Sequence, residues 1–275
     1  MSRIEKAIEV ATRARSHSVD DRPATEPPPF PQSEASKRPP KHGKGVVTNI
    51  INPFMVTAND QGSPASEQYR KLKSVIVKLS QIGDFDKALG VTSPVANEGK
   101  TITSLNLAIT MAQEFDHTVL LVEADIRKPS AMNYLGLQAE KGLTDCVVDG
   151  LDISDVIVKT DIGNLSILPA GRKVDNPVEL FSSNKMNEIF DEIKSRYNDR
   201  YVIVDTTPLL PFAEPQYIAN AIGAVLLVVR EGVTTPEKLK KSLDLLKNSN
   251  LLGVVSNGVS RVSSLQGYYG YYGYQ

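Results

Sequence analysis

With 275 residues, 41% of them hydrophobic, and a formal net charge of −1, the chain can bury one large or two small domains and carries no bulk charge that would draw it to nucleic acid. Its one cysteine, Cys146, excludes an internal disulfide and suits a reducing cytoplasm, and no apolar run approaches the length of a membrane span. The first residues lack the apolar core of a secretory signal, so a cytoplasmic protein is expected.

Residues 1–60 differ in composition from the rest. Ser2 and Glu5 make a capping box, and Ile4, Ala7, Ile8 and Ala11 an apolar stripe, which together predict a short N-terminal helix. Such a helix is either a frayed terminus or an element that docks to a partner or membrane surface, because in isolation it is too short to be stable. From Asp20 to Lys44 prolines and charges dominate, and this composition predicts a disordered extension.

Residues 61–262 read as one domain. After Pro64 a helix runs through Tyr69, Leu72, Ile76 and Leu79, and from Ala88 apolar runs alternate with amphipathic segments. The runs 88–92, 118–124, 165–168, 201–204, 224–229 and 253–255 are continuously apolar, as strands covered on both faces should be. They predict a three-layer α/β/α fold of the P-loop NTPase type with a mainly parallel sheet. Ligands of such sheets sit beyond the carboxyl ends of the strands.

Those strand ends carry the chemistry. The first runs into Val91-Thr-Ser-Pro-Val-Ala-Asn-Glu-Gly-Lys-Thr101, where a loop precedes a helix with a buried face at Leu105, Ala108, Ile109 and Ala112. Backbone N–H groups of Ala96, Asn97, Glu98, Gly99, Lys100, Thr101 and Ile102 would cradle phosphates, Lys100 would reach the β- and γ-phosphates, and the Thr101 hydroxyl would ligate Mg²⁺. Pro94 stands where the pattern usually has its first glycine, but Asn97 is a residue type that tolerates positive φ. A nucleoside triphosphate is the expected ligand. The next strand presents Glu123, Asp125 and Arg127, and Asp205 ends an apolar run in the manner of a Walker B acid that holds Mg²⁺. Any one strand-end Asp could instead cap a helix; three carboxylates beside the lysine loop make that reading weak.

The segment Leu120-Leu-Val-Glu-Ala-Asp-Ile-Arg-Lys-Pro129 resembles the second acidic motif of the bacterial tyrosine kinases, Asp-x-Asp-x-Arg-x-Pro after hydrophobics. The resemblance runs from about Glu67 to the end of the chain. It takes in Gly142-Leu-Thr-Asp145, Leu168-Pro-Ala-Gly171, Asn176-Pro177, Asp205-Thr-Thr-Pro208, Val228-Val-Arg230 and Asn257-Gly-Val259, while the start of the chain resembles the exosortase-associated group. It implies an ATP-dependent, exopolysaccharide-locus tyrosine autokinase in which Lys100 binds phosphates and Thr101, Asp125 and Asp205 hold Mg²⁺. Arg127 would lie near the transferring phosphoryl group, and Asn257 would contact adenine unless it only makes an Asn-Gly turn. Glu123 replaces the family's first aspartate, the candidate base for the incoming tyrosine, and keeps alive a subunit with no chemistry of its own. Further departures are Ala96 and Asn97 for Pro-Gly, Thr207 for Pro and Glu214 for an aspartate.

Residues 263–275 end in Gly267-Tyr-Tyr-Gly-Tyr-Tyr-Gly-Tyr-Gln275. Tyr268, Tyr269, Tyr271, Tyr272 and Tyr274 resemble the family's autophosphorylation cluster, which is filled in trans; the bland reading is a low-complexity end. Glu67, Arg70 and Lys73, three apart on one helix, resemble the family's Glu-x-x-Arg-x-x-Arg oligomerisation motif, with Lys73 for the last arginine. The resemblance implies a ring-type homo-oligomer, a separate transmembrane activator resembling polysaccharide chain-length regulators, a protein-tyrosine phosphatase and recruitment to the inner face of the cell membrane. The alternative from another class is a membrane-associated scaffold ATPase like the partition and division-site ATPases, without a protein substrate; the tyrosine tail argues against it.

Overall fold

The computed structural model describes residues 50–259 apart from 51, 84, 115–116 and 197–199. The expected N-terminal helix, the proline-rich linker and the tail tyrosines lie outside the described residues. Among the described residues the strands β1 (Ala88–Thr92), β2 (Thr118–Glu123), β3 (Val158–Lys159), β4 (Leu165–Leu168), β5 (Arg200–Asp205), β6 (Val225–Arg230) and β7 (Leu251–Asn257) form one sheet in the order β3-β4-β2-β5-β1-β6-β7. Every pairing is parallel except β3 with β4. The expected strands are present, and β3 is an addition. Its two residues are too few to leave a period in the sequence.

Alternation within each strand divides the core in two. Leu89, Val91, Val119, Leu121 and Ile203 face one layer, where Ile76 of α2 (Pro64–Gln81) and Leu105 and Ile109 of α3 (Lys100–Ala112) meet them. Leu120, Val122, Val202 and Val204 face the other, and Leu143, Phe190 and Ile218 cover them. Fully burying each such side chain contributes about 1.5–3 kcal/mol, and both sheet faces are covered, hence the continuous apolar runs.

Packing on this body begins ahead of the boundary expected at residue 61. Met55 is fully buried, and α1 (Val56–Asn59) is tied to α3. The Thr57 N–H donates to Asn106 Oδ1 at 3.0 Å, and Asn106 Nδ2 donates to the Phe54 carbonyl at 2.8 Å. Helix α2 starts where its sequence says it should, with Ser63 accepting from the Ser66 N–H and Pro64 in its first turn.

The remaining helices are α4 (Ala131–Tyr134), α5 (Leu143–Asp149), α6 (Ile153–Val156), α7 (Pro177–Phe181), α8 (Asn184–Ser195), α9 (Glu214–Ile222) and α10 (Pro236–Leu245). No helix among the described residues is long and apolar enough to cross a membrane.

Candidate active site

Register brings the acids together. Glu123 and Asp205 are paired positions at the ends of β2 and β5, and Asp205 also pairs with Val91 of β1, two residues before the loop. Neighbouring strands lie about 4.8 Å apart, so three strand ends deliver their groups to one crevice. The loop turns as its residue types require: Asn97 has φ 65° and Gly99 φ 93°. A Cβ on Gly99 would fall 1.9 Å from Asn257 Nδ2, so any other residue would have to displace that side chain and also bear the positive φ.

Lys100 Nζ lies 2.6 Å from Asp125 Oδ2 and 3.8 Å from Asp205 Oδ2. Thr101 Oγ1 donates to Asp205 Oδ2 at 2.6 Å, and Ser104 Oγ to Asp205 Oδ1 at 3.2 Å. Burial works against the charge on Lys100, but Asp205 and Asp125 outweigh it and hold the ammonium above its ordinary range. Asp205 is itself pushed up by burial, against the pull of Lys100 and the Thr101 hydroxyl. One cation shared by two buried carboxylates leaves a net negative crevice.

That donor set fits Mg²⁺. A hydroxyl and carboxylate oxygens are the hard ligands the ion prefers, and it is commonly held by one or two carboxylates together with substrate phosphates. No group of three or more His, Cys, Asp or Glu that could hold a metal occurs among the described residues.

The other sequence-predicted groups have more structural employment than their spacing suggests. Arg127 is engaged with Glu214. Its Nε and Nη2 meet Glu214 Oε1 at 2.7 and 2.6 Å, and its guanidinium sits 4.4 Å from the Phe212 ring centroid. Glu123 Oε1 accepts from the N–H groups of Ser130 and Ala131, both at 2.5 Å, so it caps the start of α4. Burial raises its pKa, with these amides and that of Ala170 pulling the other way. Asn257 Nδ2 donates to the Glu98 carbonyl at 2.9 Å, while its Oδ1 accepts from the Gly258 N–H. On α2, Glu67 and Arg70 pair at 2.7 Å on the exposed face, but Lys73 turns to Glu114 at 2.5 Å and is largely buried.

Beside Glu123 a cavity of about 560 Å³ opens between the 129–140 segment and residues 169–171. Sequence reasoning missed Ser104, whose signal is its place one helical turn beyond Lys100 and Thr101. It also missed the partnership of Arg127 with Glu214, and the contacts of Arg230 and Thr234 with the loop. No local pattern announces those.

Fold and crevice together define a P-loop nucleotide-binding protein with an additional acid pair at the second strand. Residues 96–233 match the family described as AAA domain. The chain is 33% identical over 206 residues to the tyrosine-protein kinase YwqD of Bacillus subtilis, covering 74% of this chain and 85% of that one. It is 30% identical to the tyrosine-protein kinase etk of Escherichia coli over 78% of this chain, which spans 30% of that protein. Among solved structures, the chimerical protein CapA2B2 superimposes with a TM-score of 0.70 at 28% identity, over 76% of this chain and 91% of that one. The kinase domain of Escherichia coli ETK gives 0.69 at 27%, over 83% and 87%. The chain belongs to the bacterial tyrosine-protein kinase family, and its enzyme class is protein-tyrosine kinase. The septum site-determining protein MinD of Pyrococcus horikoshii, in complex with Mg-ADP, shares the fold at 22% identity and a TM-score of 0.50.

Proposed function

We propose that this protein transfers the γ-phosphoryl group of ATP to the tyrosines of its own C-terminal cluster, in trans, and thereby regulates exopolysaccharide synthesis or export. The observation that carries the reading is the meeting of Lys100, Thr101, Asp125 and Asp205 in one buried crevice beside the cavity at Glu123. Lys100 would leave Asp125 for the β- and γ-phosphates, with the loop N–H groups holding the same anion. Thr101, Asp125 and Asp205 would hold Mg²⁺, which when bound neutralises phosphate charge.

A tyrosine entering from the cavity must lose its phenolic proton as its oxygen bonds to phosphorus and ADP departs. Glu123 and Asp125 are the two candidate acceptors, and Asp125 also serves Mg²⁺ and accepts the Lys128 N–H at 3.0 Å. Glu123 already receives backbone N–H groups from the segments on either side of the cavity, which suits a residue that shapes the pocket.

Of residues 1–60, expected to lie outside the kinase domain of 61–262, those ahead of the packed Met55 would serve as a docking arm, and 263–275 would be the substrate tail. The proposed partners are a separate transmembrane activator that recruits the protein to the inner membrane face, other copies of the chain in a ring through the exposed Glu67 and Arg70, joined by Lys73 on leaving Glu114, and a tyrosine phosphatase. Tyr268 lies nine residues past Val259, a reach of about 30 Å. β2 and β7 stand four strand spacings apart, about 19 Å. Reach therefore permits cis transfer, and mixing must decide. The protein with ATP and Mg²⁺ should acquire phosphotyrosine by mass spectrometry, and deletion of residues 267–275 should remove most of it. The tail-deleted enzyme, with the activator fragment present, should label Lys100→Met. No label on wild type would refute the kinase reading; none on Lys100→Met would refute trans transfer.

A further inference from the structure

The phosphate loop is short of glycine, with Pro94 and Asn97 at positions where glycine is usual, and Asn97 holds φ 65°. A residue with a Cβ keeps such a conformation when its surroundings fix it. Here the surroundings come from the far side of the loop, from the ends of β6 and β7. Arg230 Nη1 donates to the Asn97 carbonyl at 3.1 Å, and Asn257 Nδ2 to the next carbonyl, that of Glu98, at 2.9 Å. The Glu98 side chain, fully buried, receives the Thr234 hydroxyl on Oε1 and the Val95 N–H on Oε2 at 2.7 Å. Thr234 Oγ1 in turn accepts from the Arg230 N–H at 2.9 Å, which closes the circuit.

The consequence follows from peptide planarity. In a trans peptide the C=O of one residue and the N–H of the next point in opposite directions. Drawing the Asn97 and Glu98 carbonyls outward to Arg230 and Asn257 therefore aims the N–H groups of Glu98 and Gly99 inward, as a phosphate nest requires. We propose, resting on the kinase reading above, that Thr234, Arg230 and Asn257 are positioning residues that act through Glu98 and the loop carbonyls to preset the phosphate loop before nucleotide arrives.

The partner of this device is the triphosphate, so its loss should appear in nucleotide affinity before it appears in turnover. Thr234→Val keeps the side-chain shape and removes the hydroxyl that joins Arg230 to Glu98. It should weaken a fluorescent ATP analogue, measured directly with Mg²⁺, by about tenfold. KM for ATP should rise in step, with kcat at saturating ATP falling by less than about threefold. Thr234→Ser should restore affinity, and Glu98→Gln added to Thr234→Val should cost little more, because the link is already cut. Wild-type affinity in Thr234→Val, or a Thr234→Ser protein as weak as the valine variant, overturns the proposal. Direct binding separates this outcome from the fate of the kinase reading, since a wild-type protein that binds the analogue but labels no tyrosine defeats that reading while the affinity series still decides the clamp.

Discussion

Replacing Arg127 by methionine tests whether this residue serves the phosphoryl group or the architecture. Glu214, at the first turn of α9, has no exposed side-chain surface, and its Oε2 finds no partner. Arg127 supplies the charge that makes that burial tolerable. Removing one member of a buried pair costs roughly 3–5 kcal/mol, and because Arg127 is 34% exposed, water can partly replace it and the lower figure applies. At about 2–4 °C per kcal/mol for a domain of this size, Arg127→Met should melt about 6–12 °C below wild type. Adding Glu214→Leu removes the stranded carboxylate. Buried pairs exchanged for apolar neighbours are often neutral or better, so the double variant should recover most of the melting temperature. It should also recover phosphotyrosine formation to within about tenfold, since the pair joins the loop after β2 to the start of α9. Scanning calorimetry and quantitative anti-phosphotyrosine detection read the two quantities. A double variant that is stable yet as inactive as a Lys100 variant would refute the reasoning and return Arg127 to the transferring phosphoryl.

Lys100→Met should abolish ATP binding and, in the empty protein, lower the melting temperature, because Asp125 and Asp205 lose their shared cation; millimolar Mg²⁺ alone should restore much of the loss. Failure of Mg²⁺ to shift this variant would count against a metal site there. Burial, with help from Asp145, pushes the Cys146 thiol up to about 11, so at pH 8 only about 0.1% is thiolate and native protein should resist iodoacetamide until it is unfolded. The native state holds this proton to higher pH than the unfolded chain does, so the stability it contributes is lost as pH rises from about 9 to 11. Glu123→Gln keeps an acceptor for the Ser130 and Ala131 amides and should retain activity within about tenfold, whereas Asp125→Asn should lose at least 10²-fold. The reverse order would make Glu123 the base.

The parts of the site that sequence made legible share one physical cause. Lys100, Thr101, Asp125 and Asp205 sit at or just beyond the ends of long apolar runs, and in a parallel sheet those ends share one edge whatever the order of the strands. Asn97 was equally legible, because a tight loop demanded positive φ and few residue types supply it. What could not be read were pairings between segments far apart in the chain. Arg127 and Glu214 are 87 positions apart, Glu98 and Thr234 are 136, and neither member of either pair leaves a local period. Strand β3 escaped for a different reason, since two residues cannot alternate.

Three departures from the family pattern, at Asn97, Glu123 and Glu214, each meet a contact supplied by another segment. Asn97 takes the place of glycine, and Arg230 fixes the carbonyl of that peptide from the end of β6. Glu123 takes the place of aspartate, and its extra methylene lets the carboxylate reach two amides at the start of α4, which forms one wall of the cavity. Glu214, again one methylene longer than the usual aspartate, meets Arg127 from within the core. A longer acid at the same backbone position carries its charge about one bond further, and in each case a donor waits at that distance. Where the partner is a side chain far away in the sequence, as Arg127 is for Glu214, such a substitution is best tolerated when both members change together. The coupling between these residues, measured by double-variant cycles, is therefore a sharper description of the site than any one of its motifs.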